Sequence, residues 1–306
     1  MAGMDRRPPR SPEPRALLNV RELAEWLRLK ERKVYDLVAR GEIPHTRAGA
    51  KILFAPGEVE RWLAARAAGT VARPAAPPTV AGSHDPLLEW AVRESRCGLA
   101  LLTQGSRDGL ERLAAGEACA ALLHLPHADL ADFNREAAEE FLRGRDVALV
   151  EWARREQGLL VARGNPKRLH AVAQLARRGI RVMLRQPGSG SRELLERLLG
   201  RDGIQASALH AAGETASTES DLASGIAAGE ADAGLGARAV ARLFNLDFVP
   251  LVTERLDLAV SRARWFDPPL QALWRFARTR RFAAHAQSLT GYDLAHAGEV
   301  TWNDQA

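Results

Sequence analysis

Cysteine is scarce in this chain: Cys97 and Cys119 are the two examples among 306 residues. Two isolated cysteines form neither a disulfide framework nor a paired thiolate metal site, and we expect both to be small buried residues. The closest histidines, His124 and His127, flank a proline and lack the carboxylate or cysteine that would complete a ligand set. The sequence therefore predicts no disulfide, no metal site and no cofactor.

Long apolar runs are also missing. No stretch is apolar over the roughly 20 residues that cross a bilayer, and residues 1–15 contain arginine and proline but not the apolar core of a signal peptide. We therefore expect a cytoplasmic protein with no membrane contact. Patterns typical of nucleophilic catalysis, such as Gly-x-Ser-x-Gly, are absent as well. We expect a binding protein rather than an enzyme.

The excess positive charge is confined to the first quarter of the chain. Residues 1–78 hold 15 basic and 9 acidic side chains, a net charge of +6, whereas residues 79–306 hold 28 and 29, a net charge of −1. Three of the four lysines, Lys30, Lys33 and Lys51, belong to the first part. This split is typical of a nucleic-acid-binding module attached to a near-neutral domain.

Two short amphipathic helices begin the ordered part of the sequence. Val20–Leu27 has an apolar stripe at helical spacing, with Asn19 as a candidate N-cap, and a second helix extends from about Glu31 to Arg40. A strand pair with a glycine turn and a third helix from Gly57 to Ala64 come next. Two helices joined so tightly and followed by a strand pair predict a winged helix-turn-helix over residues 17–68.

Four segments of this module carry a family pattern: Leu18–Ala24, Lys33–Pro44, Phe54 and Val59–Leu63. They resemble the excisionase-type, MerR-related DNA-binding domain. The resemblance implies that the second helix enters the major groove and that the wing touches phosphates. The residues to which it gives a DNA-binding role are Lys30, Arg32, Lys33 and Tyr35 on or beside the second helix, and Arg47 and Lys51 on the wing.

Alternating strands and helices follow the module. Proline-rich segments lie on both sides of the helix-turn-helix module. We expect residues 1–16 to be a disordered leader and residues 69–78 to be a stiff linker. Strand-like runs then occur at Thr79–Ala81, Leu99–Leu102 and Ala118–Leu123, with helical patterns between them. This βαβαβ order predicts parallel strands whose ligand-facing loops lie at their carboxyl ends.

Serines stand where an anion site needs hydroxyl donors. Two of them follow the first two predicted strands, and two more belong to the glycine-rich turn Pro187–Ser191, which leads into a helix. Glycine allows positive φ and close backbone approach, so N–H groups can converge at the positive end of the helix. Plain helix N-caps are the alternative that the sequence leaves open. The residues expected to bind the anion are Ser83, Ser106, Ser189, Gly190 and Ser191.

Arg192 directly follows the glycine-rich turn and is a further candidate for the anion site. Its planar guanidinium can clamp an anion bidentately, or it can pair with Glu196 one helical turn later. Because neutral donors suffice for an oxyanion, the pairing with Glu196 is favoured.

Seven segments of residues 79–306 follow a second family pattern: Gly82–Asp85, Arg155–Gly158, Gly164–Pro166, Arg185–Arg192, Gly229–Gly236, Glu254–Leu258 and Gly291–Asp293. In this order they resemble the periplasmic-binding-protein-like domain of bacterial cytoplasm. That domain is found fused to helix-turn-helix modules and is similar to molybdate- and tungstate-binding proteins. The resemblance implies a type II fold in which two α/β lobes are joined by crossing segments and hold the ligand between them.

The resemblance also implies where the lobes divide. The first lobe comprises about residues 79–153 and 251–306, and the second comprises about residues 154–250. Thr215 lies in a segment that faces the cleft in this fold, so we expect it to be a further ligand donor. Because one donor from each lobe is needed for closure, Ser106 and Ser189 are expected to matter most.

The sequence therefore predicts an α/β protein with an N-terminal winged helix-turn-helix and a two-lobed type II periplasmic-binding-protein-like domain. We expect a homodimeric transcription regulator that binds operator DNA and senses a small oxyanion, tungstate or molybdate. Leu256 stands where the family usually has tyrosine. A sensor of molybdenum cofactor or of another organic ligand is therefore an alternative function. An accessory protein of molybdoenzyme biosynthesis is a second alternative.

Overall fold

The structure, a computed structural model, describes residues 17–66 and 76–304. The chain divides into two compact units, one ending at Pro74 and the other beginning at Ala75. The predicted leader and most of the predicted linker lie outside the described residues.

Within residues 17–66, the first unit contains three helices and a small antiparallel sheet. Its elements in chain order are β1 (Leu18–Asn19), α1 (Val20–Leu27), α2 (Glu31–Ala39), β2 (Thr46–Ala48), β3 (Lys51–Phe54) and α3 (Pro56–Arg66). Strand β3 pairs with β2 to form the wing and with β1 on its other side. The short strand β1 is not predicted from the sequence, because two residues carry no alternation of apolar and polar side chains.

Local signals set the ends of the first two helices. The Asn19 side chain accepts a hydrogen bond from the Glu22 N–H at 3.0 Å, and the Glu22 carboxylate accepts one from the Asn19 N–H at 2.8 Å. This reciprocal capping box fixes the start of α1. Gly41 follows α2 with a φ of +65°, a left-handed conformation that favours glycine after a helix. The apolar faces of the helices meet in one core around Val34 and Phe54.

The second unit alternates strands and helices. Its strands are β4 (Thr79–Gly82), β5 (Ala100–Leu102), β6 (Ala120–Leu123), β7 (Val147–Val161), β8 (Arg181–Val182), β9 (His210–Ala211), β10 (Ala233–Ala237), β11 (Asp247–Ser261), β12 (Tyr292–Asp293) and β13 (Val300–Asn303). Its α-helices are α4 (Pro86–Ser95), α5 (Ser106–Ala115), α6 (Arg135–Phe141), α7 (Gly190–Arg201), α8 (Glu219–Ala227), α9 (Arg238–Leu243), α10 (Arg262–Trp265), α11 (Pro268–Ala277) and α12 (Arg280–Leu289).

One sheet runs through the whole second unit, in the strand order β5-β4-β6-β11-β7-β10-β8-β9. At one end β5, β4 and β6 are parallel, and at the other end β10, β8 and β9 are parallel. The long strands β7 and β11, of 15 residues each, pair antiparallel and join the two ends. Two lobes of parallel sheet therefore share one pair of crossing strands.

The crossing point lies near an irregularity in β11. The register between β7 and β11 shifts between Leu256 and Asp257. On one side of this shift β11 pairs with β6, and on the other side the end of β7, from Gln157 to Val161, pairs with β10. Strand β12 joins β7 at Arg154 and Arg155, close to the crossing.

The helices of the second unit cover both faces of its sheet. In the first lobe the Trp152 ring meets Trp274 and Phe282 edge-on, with ring centroids 5.6 and 5.3 Å apart. Such pairs add to the free energy gained by burying apolar surface. Cys97 and Cys119 are free and buried, as predicted.

The order of elements at the start of the second unit, β4-α4-β5-α5-β6, agrees with the prediction. For α7 the sequence pattern predicts a start at Glu193, and for α5 it predicts a start at Arg107. In the structure α7 begins at Gly190, directly after its N-cap Ser189, and α5 begins at Ser106. These earlier starts place candidate anion-binding residues in the first turn of each helix.

Candidate functional site

The carboxyl ends of β4, β5 and β6 bring three polar residues together. Ser83 follows β4, Ser106 begins α5 and His124 follows β6. The two serine hydroxyl oxygens are 2.6 Å apart, and the His124 backbone N–H donates to Ser106 Oγ at 3.2 Å. Neither serine is an N-cap, since Asp85 and Gly105 occupy the capping positions of α4 and α5. The alternative role as a helix cap does not apply to these two hydroxyls.

The first turn of α7 approaches this cluster from the second lobe. A Cβ atom at Gly105 would lie 3.2 Å from the Gly188 carbonyl oxygen, and one at Gly190 would lie 2.7 Å from both the His124 ring and its carbonyl oxygen. Glycine at position 190 is therefore required for the lobes to approach so closely. The four candidate serines are each at most 4% exposed. The residues of this contact, called here the interlobe seam, are Ser83, Ser106, His124, Ser189, Gly190 and Ser191.

Backbone donors line the seam as well as hydroxyls. The N–H groups of Ser106, Arg107, Gly190 and Ser191, in the first turns of α5 and α7, make no hydrogen bond within the described residues. Unbonded N–H groups at a helix N-terminus carry partial positive charge and bind anions. Two helix N-termini, one from each lobe, therefore contribute donors to the same seam.

The serine hydroxyls of the second lobe have partners within the protein. Ser189 caps α7: its Oγ accepts from the Arg192 N–H at 3.3 Å and donates to the Gln186 carbonyl oxygen at 2.9 Å. Ser191 donates to Glu219 Oε1 at 3.0 Å. Ser189 thus has the capping role that the sequence left open, and Ser191 is oriented by a carboxylate.

Two predicted site residues lie outside the seam. Arg192 Nε donates to Glu196 Oε1 at 2.5 Å, which is the pairing that the sequence favours. Thr215 is exposed in the loop before α8, and no hydrogen bond joins it to the seam among the described residues. Arg185 is 7% exposed and holds this loop by donating to the carbonyl oxygen of Ser217 at 2.9 Å.

A buried ionic cluster adjoins the seam, with Arg155 at its centre. Arg155 lies on β7 near the crossing and is 1% exposed. Its guanidinium donates to Glu254 Oε1 at 2.5 Å, to Asp85 Oδ2 at 3.0 Å and to Glu219 Oε1 at 3.1 Å. The Tyr292 hydroxyl donates to Asp85 Oδ2 at 2.6 Å. Three carboxylates therefore share one guanidinium.

Two more side chains connect the cluster with the seam. Gln157 Nε2 donates to Glu254 Oε1 at 2.9 Å and to Glu219 Oε1 at 3.3 Å. His124 Nδ1 lies 3.0 Å from Glu254 Oε2, and Ser191 donates to Glu219. Each of the two glutamates is thus bonded to one residue of the seam.

Burial and ion pairing act in opposite directions on these glutamates. Burial raises the pKa of Glu219, but Arg155 and then Arg185 outweigh it and lower that pKa to about 2. Burial of Glu254 is likewise outweighed, by His124 and then by Arg155, so its pKa is also lowered. Both carboxylates are therefore ionised at neutral pH.

Arg155, Glu219 and Glu254 are not among the site residues predicted from the sequence. The sequence does contain a feature that points to Arg155 and Glu254, because both charges interrupt otherwise strand-like stretches. Charged residues in buried strands are rare unless they are paired. Their partners are 64 to 99 residues away in the chain. No local spacing therefore indicates which charges meet.

The predicted DNA-binding side chains are accessible on the first unit. Arg32, Lys33 and Tyr35 are exposed on α2, and Lys30 precedes this helix. The wing residues Arg47 and Lys51 are exposed on β2 and β3. Within the described residues none of these five cations forms an ion pair, in contrast to Arg21 with Glu25 and Arg40 with Glu42. They are free to contact phosphates.

Family models match both units. The helix-turn-helix domain model matches residues 17–67. The PBP superfamily domain model matches residues 89–278, which is more than half of the chain. The chain belongs to the PBP superfamily.

A bacterial relative and two solved structures resemble this PBP superfamily chain. The Bacillus subtilis (strain 168) protein YvgK is 28% identical over 301 residues, covering 92% of this chain and 96% of YvgK. The sulfate-binding protein SubI from Mycobacterium tuberculosis H37Rv aligns with a TM-score of 0.50 and 17% identity, over 70% of this chain and 85% of SubI. A Clostridium perfringens substrate-binding protein assigned to a phosphate ABC transporter was solved with bound phosphate. It aligns with a TM-score of 0.52 and 12% identity, over 73% of this chain and 99% of that protein. At these identities the two structures establish the fold alone.

The two family matches and the likeness to SubI together confirm the predicted fold class of an N-terminal helix-turn-helix with a two-lobed α/β domain. Both matched domains are of binding types. Across residues 17–66 and 76–304, no group of three His, Cys, Asp or Glu side chains has the arrangement of a metal site. In the same ranges no helix combines the length and apolar character needed to cross a bilayer.

Proposed function

We propose that this chain is a DNA-binding transcriptional regulator whose two-lobed domain senses a small tetrahedral oxyanion, tungstate or molybdate. The interlobe seam carries the proposal, because unbonded N–H groups of α5 and α7 reach it from the two lobes. The oxygens of a tetrahedral dianion such as tungstate only accept hydrogen bonds, so each N–H or O–H donor finds a partner. A sulfate-binding protein and a phosphate-bound protein share the fold, which supports the oxyanion class.

The choice of tungstate or molybdate rests on the segments that resemble molybdate- and tungstate-binding proteins. Leu256, the position that left an organic ligand open, is fully buried in the apolar core of the first lobe together with Trp152 and Leu258. Its departure from the family pattern therefore alters the core and not the seam. A seam whose serines are almost fully buried also fits a small anion better than a bulky cofactor.

Regulation follows from the preference of the ligand for one arrangement of the lobes. The anion contacts α5 of one lobe and α7 of the other together only when the lobes are closed, so binding shifts the population toward the closed state. In a cytoplasmic homodimer this closure would change the arrangement of the two helix-turn-helix modules. The spacing of the two half-sites that the dimer can bind would then depend on the anion.

An electrophoretic mobility shift on the DNA upstream of its own gene tests this function. The full-length protein is titrated without anion and with tungstate, molybdate, sulfate or phosphate. We expect a specific shift whose midpoint changes at least several-fold with tungstate or molybdate. A shift that no anion alters contradicts the sensing role, and the absence of any specific shift favours the accessory role in molybdoenzyme biosynthesis.

A further inference from the structure

Arg155 lies at a point in the second unit where both lobes meet a crossing strand. It lies on β7 opposite Glu254 of β11 and opposite Tyr292 of β12. The crossing strands are common to both lobes, so a long side chain at this point can reach either lobe. Arg155 is 1% exposed, and its three guanidinium nitrogens all have carboxylate partners.

The partners of Arg155 come from different parts of the domain. Asp85 is the N-cap of α4 in the first lobe, and it accepts from the Leu88 N–H at 2.8 Å as well as from Arg155 at 3.0 Å. Glu219 is the first residue of α8 in the second lobe, and it accepts from the Ala237 N–H at 3.1 Å as well as from Arg155 at 3.1 Å. Each carboxylate is thus fixed to the backbone of its own lobe.

The cluster also reaches the anion-binding residues of both lobes. In the second lobe Glu219 orients the Ser191 hydroxyl at 3.0 Å. On the first-lobe side Glu254 holds the His124 ring at 3.0 Å, and the His124 N–H donates to Ser106 Oγ. One carboxylate and one further hydrogen bond therefore connect Arg155 with the seam on each side.

Separation of the lobes has an electrostatic cost at this cluster. Moving Asp85 away from Glu219 removes at least one of them from Arg155 and leaves a buried carboxylate without its cation. The planar guanidinium satisfies three carboxylates at once, whereas a lysine ammonium is a single point charge that does not reproduce the fork.

We propose that Arg155 is an interlobe clasp, a positioning residue that holds Asp85 and Glu219 together and so couples anion binding at the seam to lobe closure. Its role in anion binding rests on the proposed function, whereas its role in closure does not. The rim pair of Arg107 with Glu193 also joins the lobes, at 2.6 Å, but the Arg107 side chain is 40% exposed. Water screens that pair, so it contributes little to closure.

Arg255 offers a matched control for Arg155. It also lies on a crossing strand, and it pairs with two carboxylates, Asp132 at 2.5 Å and Asp257 at 2.9 Å. Both partners belong to the first-lobe side, where Asp257 pairs with Leu123 of β6. Arg255→Lys therefore weakens an ion network of similar composition without touching the contact between lobes.

The test measures the distance between lobes together with anion affinity, in the full-length protein. Spin labels at Arg143→Cys and Arg178→Cys, both exposed and on opposite lobes, report the distance by double electron–electron resonance. We expect Arg155→Lys to broaden the ligand-free distribution toward longer distances and to weaken tungstate or molybdate binding at least tenfold. Arg255→Lys is expected to leave the distribution and the affinity unchanged.

The outcomes separate the clasp from the proposed function. An unchanged distance distribution in Arg155→Lys overturns the clasp, whatever its melting temperature. If the wild type binds none of the oxyanions, the sensing function fails, but the ligand-free distances still decide whether Arg155 holds the lobes together. Should Arg155→Lys not fold, Glu219→Gln removes one arm of the clasp and is measured in the same way. A wild-type distance distribution in that folded variant also overturns the proposal.

Discussion

The two hydroxyl groups of Ser83 and Ser106 carry two protons, of which their mutual hydrogen bond uses one. Ser106 Oγ also accepts from the His124 N–H, so the remaining proton is free to bind an oxygen from outside the protein. Ser189 and Ser191 have no such proton available, because their hydroxyls donate to Gln186 and Glu219. At the scale of single residues the first-lobe pair is therefore the better hydroxyl donor, and the second lobe contributes chiefly backbone N–H groups.

The first prediction concerns Ser106. Ser106→Ala removes the hydroxyl that links Ser83 to the His124 N–H, and we expect anion affinity to fall by a factor of about 5 to 150, equivalent to about 1–3 kcal/mol. Calorimetric titration measures this loss. Ser95→Ala removes a hydroxyl that bonds to the Val92 carbonyl outside the seam, and it should leave the affinity unchanged. Equal affinities in both variants would place the ligand elsewhere.

The second prediction concerns Glu219 and pH. Its pKa in the folded protein is about 2, below the ordinary 4.5, so its stabilising effect is complete above about pH 4.5 and is lost as the pH falls toward 2. The shift corresponds to on the order of 3 kcal/mol at neutral pH. We expect the difference in unfolding free energy between wild type and Glu219→Gln, from urea titrations, to narrow between pH 6 and pH 3. A difference that stays constant over this range would contradict the shift.

At the scale of elements, the turns that lead into α5 and α7 could be predicted from the sequence, whereas the first residues of these helices and the bounds of the crossing strands could not. Glycine and serine after an apolar run indicate a strand, a turn and a helix N-terminus, and this pattern predicts the turn before Ser106 and the turn before α7. Strands β7 and β11 escape prediction because Arg155 and Glu254 interrupt their apolar pattern at the crossing. Those charges are tolerated only because tertiary contacts pair them, and sequence periodicity does not contain that information.

The third prediction concerns the start of α7. A Cβ at Gly190 would lie 2.7 Å from His124, so Gly190→Ala must push the lobes apart. Overpacking of this kind costs about 1–3 kcal/mol, and anion affinity should fall by a corresponding factor of about 5 to 150. Gly200→Ala, in the last turn of the same helix, meets no atom within 4 Å and should stabilise the fold by about 0.5–1 kcal/mol with unchanged affinity. Titration and thermal unfolding of the two variants, side by side, give both quantities, and wild-type affinity in Gly190→Ala would rule out the seam as the anion site.

At the scale of the whole molecule, the charges separate two tasks. The first 78 residues carry a net charge of +6 and the rest carry −1. On the first unit Lys30, Arg32 and Lys33 lack acidic partners among the described residues, whereas the arginines of the second unit that line the seam and the cluster are paired or hydrogen-bonded. DNA affinity and anion affinity should therefore respond to different substitutions.

The fourth prediction concerns DNA binding. If the Arg32 and Lys33 side chains contact bases, Arg32→Ala and Lys33→Ala should each weaken operator binding by about 1–3 kcal/mol. If these side chains contact phosphates, each substitution should reduce the slope of log affinity against log salt concentration by about one. Anion affinity should not change in either variant. Arg178→Ala, an exposed arginine of the second unit, is the control and should bind DNA as the wild type does. Wild-type DNA affinity in both module variants would show that α2 is not the recognition helix.

The central claim is that the interlobe seam of this protein binds a tetrahedral oxyanion. Calorimetric titration of the purified full-length protein with tungstate, molybdate, sulfate and phosphate tests it most directly. We predict one site per chain, with tungstate or molybdate bound at least tenfold more tightly than sulfate or phosphate. Absence of binding heat with all four anions at several temperatures, in a protein that melts cooperatively, would contradict it.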